Sequence, residues 1–121
     1  MIALERSIDQ WTTQARKGTL QLCLMALLKG RELYGYEIAE YVERYSEGEL
    51  AVTEGTIYPL LHRMENDGVV KSHWKESTGG PPRRYYALTI KGEDLLKRIL
   101  GEWKRYTEAC QRITERGMKG E

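Results

Sequence analysis

Histidine and cysteine are scarce in this chain, with two of each in 121 residues, and that scarcity narrows the chemistry open to it. His62 and His73 stand in no HExxH-like or zinc-ligand spacing. Gly-x-Ser-x-Gly, P-loop and Gly-x-Gly-x-x-Gly motifs are also missing; GRELYG and GGPP do not replace them. No catalytic residue, metal ligand or cofactor is therefore expected, and the chain does not read as an enzyme. Cys23 and Cys110 lie far apart inside apolar helical patterns, the placement of buried thiols rather than of a disulfide framework. Long apolar runs are lacking too. The longest, CLMALL at 23–28, falls well short of the ~18–20 residues of a membrane span. The N-terminal MIALERSIDQWTTQARK has no apolar signal core, so a cytoplasmic protein without membrane attachment is expected.

Charge of one sign is lacking as well: the net charge is +1, which by itself announces no nucleic-acid binder. The distribution says more. Between Arg31 and Glu49 stand six glutamates against two arginines, and between Lys71 and Arg84 four basic residues face Glu76 alone. A near-neutral total can hide a basic patch on one surface.

The apolar residues that are present follow clear periods. Leu4, Ile8, Trp11 and Ala15 form one helical stripe, with Gly18 placed to break it and Thr19 to cap a second helix, LQLCLMALLKG, apolar nearly all round. A third helix in LYGYEIAEYVERYSEG carries Tyr34, Ile38, Tyr41, Val42 and Tyr45 at helical spacing and stops at Gly48. Leu50 and Val52 suggest a brief extended pair. Thr53 then caps a helix whose inward face is Ile57, Leu60, Leu61 and Met64, closed by Gly68. From Val69 the period changes to two: VVKSHWKE, a loop STGGPP and RRYYALT form a hairpin with a long tip. Thr89 caps a last helix running to about Arg116.

Three short helices followed by a β-hairpin predict a mainly α fold with a β-hairpin wing (α+β), a winged helix-turn-helix. It is divided as an N-terminal dimerisation helix over 1–17, a DNA-binding domain over 18–88 and a C-terminal dimerisation helix over 89–121. In the last helix Leu96, Ile99, Trp103, Tyr106, Cys110 and Ile113 alternate steps of three and four, a heptad seam. With Leu4, Ile8 and Trp11 it predicts a homodimer interface, and a two-fold dimer reads palindromic half-sites.

On a wheel of ~100° per residue, the helix from Thr53 turns Gly55, Pro59, His62 and Asn66 outward, flanked by Thr56, Tyr58 and Arg63. Asn and Arg pair with base edges, and Thr, Tyr and His reach phosphates or bases. Pro59 cannot bond the carbonyl of Gly55, so the defect is expected to face water or a groove and let backbone approach a duplex. Tyr36, beside Gly35, is a candidate phosphate contact. In the wing, Lys71, Lys75, Arg83 and Arg84 are candidate backbone contacts, where binding is read as counterion release. A protein–protein interaction module on the same fold is the alternative.

The segments LYGYEIAEYVE, TEGTIYPLLHRMENDGVV and GGPPRRYYALTIKGEDLL, in this order from about Gly18 to Leu100, strongly resemble the PadR family of bacterial transcriptional regulators. The family's pattern is met by Gly55, Thr56, Ile57, Tyr58, Pro59, Leu61, Arg63 and Glu65, and its tandem wing tyrosines by Tyr85 and Tyr86. The resemblance implies a dimeric repressor that binds a double-stranded operator. The short C-terminal part resembles the compact subfamily, in which phenolic acids or flat aromatic drugs bind near the dimer axis. It points to Trp103, with Tyr106 and Trp11, as candidate effector residues.

Overall fold

A computed structural model describes residues 2–121. The chain runs α1 (Ala3–Leu27), β1 (Leu33–Tyr34), α2 (Gly35–Tyr45), α3 (Glu54–Asn66), β2 (Val70–Ser77), β3 (Gly80–Leu88) and α4 (Ile90–Met118). The sheet is antiparallel with strand order β1-β3-β2. The expected fold class, a mainly helical winged helix-turn-helix with a hairpin wing, is the one found.

The core follows the apolar periods. Leu24, Met25, Leu28, Ile38, Ile57, Leu61 and Met64 are its fully buried large side chains, and Val70, Tyr86, Leu88 and Leu96 close it from the wing and α4. Each such side chain contributes roughly 1.5–3 kcal/mol on leaving water. Thr53 caps α3 as expected, its Oγ1 accepting from the Thr56 amide at 3.3 Å. Thr89 caps α4 by accepting from the Gly92 amide at 3.0 Å and donates to the Gly68 carbonyl at 2.6 Å. The first turn of α4 presses so closely on the turn between α3 and β2 that a Cβ on Gly92 would lie 2.1 Å from the Val69 carbonyl oxygen.

Several expectations are corrected. Gly18 does not break the first helix: α1 is continuous for 25 residues. A helical glycine costs only ~1 kcal/mol against alanine, and good helix formers flank it on both sides. Thr19 does not cap; its hydroxyl turns back to the carbonyls of Ala15 and Arg16. The boundary drawn at 17/18 therefore falls inside one helix. Residues 50–53 form no strand. The short strand is β1 instead, because Leu33 and Tyr34 find partners in Tyr86 and Tyr85, so α2 begins one residue after Tyr34.

The wing tip is shorter than expected, with strands running to Ser77 and from Gly80 around Thr78 and Gly79, which has φ +75°. Pro81 and Pro82 lie within β3, opposite a register shift between Lys75 and Ser77, where a ladder tolerates residues without an N–H. Of the two thiols, Cys23 is half-buried, with burial raising its pKa, and Cys110 is exposed in the single chain.

The seam on the terminal helices divides in two. Leu96 is 4% exposed and belongs to the chain's own core, with Ile99 packed beside it, so Leu96 is corrected from a partner contact to a core residue. Leu4, Ile8, Trp11, Tyr106 and Ile113 are all more than half exposed, and Trp103 is 42% exposed.

Candidate nucleic-acid interface

α3 is held by its inward face, which leaves Gly55, Thr56, Tyr58, Pro59, His62, Arg63 and Asn66 exposed together with Thr53 at its cap. The helix thus brings these candidate residues to one surface. Pro59 sits inside the helix, and its ring faces a cleft against α1. The bond that Pro59 cannot make to the Gly55 carbonyl lies on this solvent side, where water can satisfy it.

α2 meets this surface at its N-terminus. Gly35 is buried, and a Cβ placed on it would stand 2.7 Å from the Tyr58 hydroxyl. Gly35 therefore makes room for Tyr58 of α3, rather than clearing the way for a duplex beside Tyr36. Glu37 closes the helix start by accepting from the Tyr34 amide at 3.2 Å. Tyr36 is 56% exposed. The neighbouring Glu40 carboxylate, accepting from its hydroxyl, holds its pKa above the ordinary phenol value. Tyr58 is shifted the same way, first by burial and then by Glu54. Both tyrosines stay protonated donors at neutral pH.

The wing presents two unlike faces. Lys71, His73, Lys75, Arg83 and Tyr85 share one side by register, and Val70, Ser72, Trp74, Arg84, Tyr86 and Leu88 share the other. On the first side Glu32 receives both Lys75 and, at 3.1 Å, His73. Lys75 accordingly keeps Glu32 below the ordinary carboxylate range, and Glu32 keeps Lys75 above the ordinary amine value. Arg83 lies 4.7 Å over the Tyr34 ring. Among the described residues neither Arg83 nor Lys71 forms an ion pair.

The second side differs from expectation. Arg84 turns inward, its Nη2 donating to Glu65 at 3.0 Å and its Nε to the Ser72 hydroxyl at 2.9 Å, while Ser72 donates to the same carboxylate. Arg84 is thus a strut between wing and α3, and Lys75 a tie to Glu32. The uncommitted wing cations are Lys71 and Arg83.

Sequence reasoning missed Trp74. It is 64% exposed, with the Arg84 guanidinium 5.7 Å over its ring. Trp74, Pro82, Tyr36 and Tyr58 frame a cleft of about 440 Å³ between the wing and α3. The signal was present: Trp74 continues the core-facing alternation of Val70 and Ser72, but one step beyond the end of the core.

Trp11, Trp103 and Tyr106 come together in a second groove, of about 760 Å³, between α1 and α4. Among the described residues, no group of three or more His, Cys, Asp or Glu is arranged to hold a metal, and no helix is long and apolar enough to cross a membrane.

A profile of the transcriptional regulator PadR-like family matches residues 24–98. A PadR-like transcription factor from Bacteroides fragilis is 43% identical, with 87% of this chain and 99% of that one covered and a TM-score of 0.69. The structure of a PadR family transcriptional regulator from Eggerthella lenta superposes with a TM-score of 0.85 at 24% identity, covering 95% and 98% of the two chains. Bacillus subtilis PadR, solved in complex with operator DNA, matches with a TM-score of 0.63 at 24% identity, over 68% of this chain and 45% of that one.

Proposed function

The chain belongs to the PadR-like family of transcriptional regulators, and on that premise we propose that it is a homodimeric repressor that binds a palindromic operator through α3 and the wing. The observation that carries the reading is the single exposed surface of α3, where Thr56, Tyr58, His62, Arg63 and Asn66 stand together beside a wing holding Lys71 and Arg83. An α-helix fits the major groove, and Arg63, Asn66 and His62 are the residue types that pair with base edges there. Tyr36, Lys71 and Arg83 serve phosphates, while Thr53, Gly55 and Pro59 keep the backbone low enough to approach. Lys75 and Arg84 contribute by fixing the wing. That a relative of the same fold was solved on operator DNA supports this use of the surface. A protein acting on chromosomal DNA in this way works in the cytoplasm, and its role is binding rather than catalysis.

The dimer is built from the exposed stripe on α1 (Leu4, Ile8, Trp11) and on α4 from Ile99 onward (Trp103, Tyr106, Cys110, Ile113). Apolar side chains left exposed along two long helices are the feature that asks for a partner, and a second copy satisfies both stripes at once. The groove at Trp11, Trp103 and Tyr106 lies on this seam. It has the aromatic walls to take a flat aromatic effector, whose binding favours one dimer geometry and so changes the spacing of the two α3 helices.

Sedimentation and footprinting test the arrangement together. The reading expects a dimer protecting two half-sites about one helical turn apart, ~34–36 Å. A monomer, or protection of one isolated half-site, would contradict it.

A further inference from the structure

We propose that the cleft between the wing and α3 seats a deoxyribose of one operator strand, and that Trp74 is the side chain packed on that sugar. The assignment rests on the reading of α3 and the wing as the DNA-binding surface, and it says which part of the duplex the gap between them holds.

A duplex offers base edges in its grooves, phosphates, and the apolar C–H faces of its sugars. Base faces are not on offer, because they are stacked. With α3 in a major groove and the wing against the backbone beside it, the strand bordering that groove passes over the gap between the two elements. That gap is the cleft of about 440 Å³.

Its lining decides which part of the strand enters. Trp74 and Pro82 line it from the wing, and Tyr36 and Tyr58 line it from α2 and α3. Glu54 lines it as well, and a phosphate that entered would meet this carboxylate, a like charge in a partly desolvated gap. Of the two arginines on the wing side, Arg84 is already paired with Glu65, and Arg83 lies 4.7 Å over the Tyr34 ring. The neutral sugar therefore fits the interior, and Arg83 serves a phosphate next to it.

Trp74 is held for this contact before DNA arrives. The Arg84 guanidinium stands 5.7 Å over its ring, and Arg84 is tied to Ser72 and Glu65. Yet Trp74 is 64% exposed, while Val70 and Tyr86 on the same side of the hairpin are buried. A fixed, exposed indole loses little freedom on binding, and its apolar face matches a sugar better than a phosphate. A sugar packed on that face leaves no room for a substituent at C2′, so the site favours DNA over a strand carrying an oxygen there.

A scan of 2′-O-methyl nucleotides, one position at a time, through a duplex carrying the protein's own promoter tests this. Wild type should lose about tenfold in affinity at one position, or two adjacent ones, on the strand bordering each half-site. Trp74→Ala should bind the unmodified duplex about tenfold more weakly, and at those positions the modification should cost it less than about twofold. Its slope of log K against log salt should equal that of wild type, since no cation is lost. Trp74→Gln serves in the same measurements if the alanine variant does not fold. A tryptophan that only stiffened the wing would leave both proteins equally sensitive to every modified position. Equal sensitivity, unchanged affinity in the Trp74 variants, or a salt slope reduced by about one would overturn the assignment and leave the DNA reading in place. Wild type that binds no duplex would overturn the DNA reading, and the assignment with it.

Discussion

The hydroxyl of Tyr58 on α3 lies 2.7 Å from the point where Gly35, at the start of α2, would carry a Cβ. A glycine on one helix thereby fixes the direction of a tyrosine on the next, at the corner where both meet the wing. The atom in the way is the far end of a side chain that can swing out, and alanine at a helix start gains propensity over glycine. Gly35→Ala should therefore change stability by less than about 1 kcal/mol, while weakening operator binding as much as Tyr58→Ala does. The double variant should be no weaker than either single one. A strongly destabilised Gly35→Ala, or additive losses in the cycle, would show that Tyr58 is not what the glycine serves.

Gly92 makes the contrasting case. There the obstacle at 2.1 Å is the Val69 backbone carbonyl, which already accepts from Thr89 and cannot turn aside. Gly92→Ala should lower stability by about 1–3 kcal/mol in denaturant unfolding, with the loss shared by α4 and the wing base. A neutral substitution would mean that the α4 start shifts freely.

Arg84 and Arg83 are neighbours with different work. Arg84 joins Glu65 and Ser72 across to α3, and its side chain is 40% exposed. Solvent screening then limits the loss in Arg84→Ala to about 1 kcal/mol. Faster hydrogen exchange in β2 and β3 should accompany it, because the strut between wing and α3 is gone. If exchange in the wing is unchanged, the strut has no mechanical role.

Glu32 sets a pH dependence. The hydrogen bond from Lys75, ahead of the charges of His73 and Lys75, depresses its folded pKa. A depressed folded value means that the tie is fully present above the ordinary carboxylate pKa of ~4.3 and is lost as pH falls through the folded value. Amide shifts of β1 and the neighbouring wing face should therefore move together below about pH 4. Glu32→Gln should remove that transition and leave the wing at neutral pH as the wild type is in acid.

How much of this was legible in the sequence varied with the range of the interaction. The inward face of α3 could be read because Ile57, Leu60, Leu61 and Met64 repeat within the helix itself. The two-residue β1 could not. Leu33 and Tyr34 look like the start of α2, and only Tyr85 and Tyr86, some fifty residues on, make them a strand. Gly18 misled because a glycine marks a helix end only when the flanking residues also favour one. The inward turn of Arg84 was within reach, since the alternation places it on the side of Trp74 and Tyr86; its charge suggested solvent, and Glu65 was the partner that outweighed that. Legible too was the exposed α3 surface, though not the cleft that α1 forms against it, which needs the unbroken helix.

The most direct test of the account is the salt dependence of binding to a duplex carrying the protein's own promoter. Wild type should lose affinity steeply as salt rises, and Arg83→Ala and Lys71→Ala should each reduce the slope of log K against log salt by about one. Arg84→Ala should change it less, its cation being already paired with Glu65. Slopes identical in wild type, Arg83→Ala and Lys71→Ala, or binding that salt does not affect, would contradict the assignment of α3 and the wing to DNA.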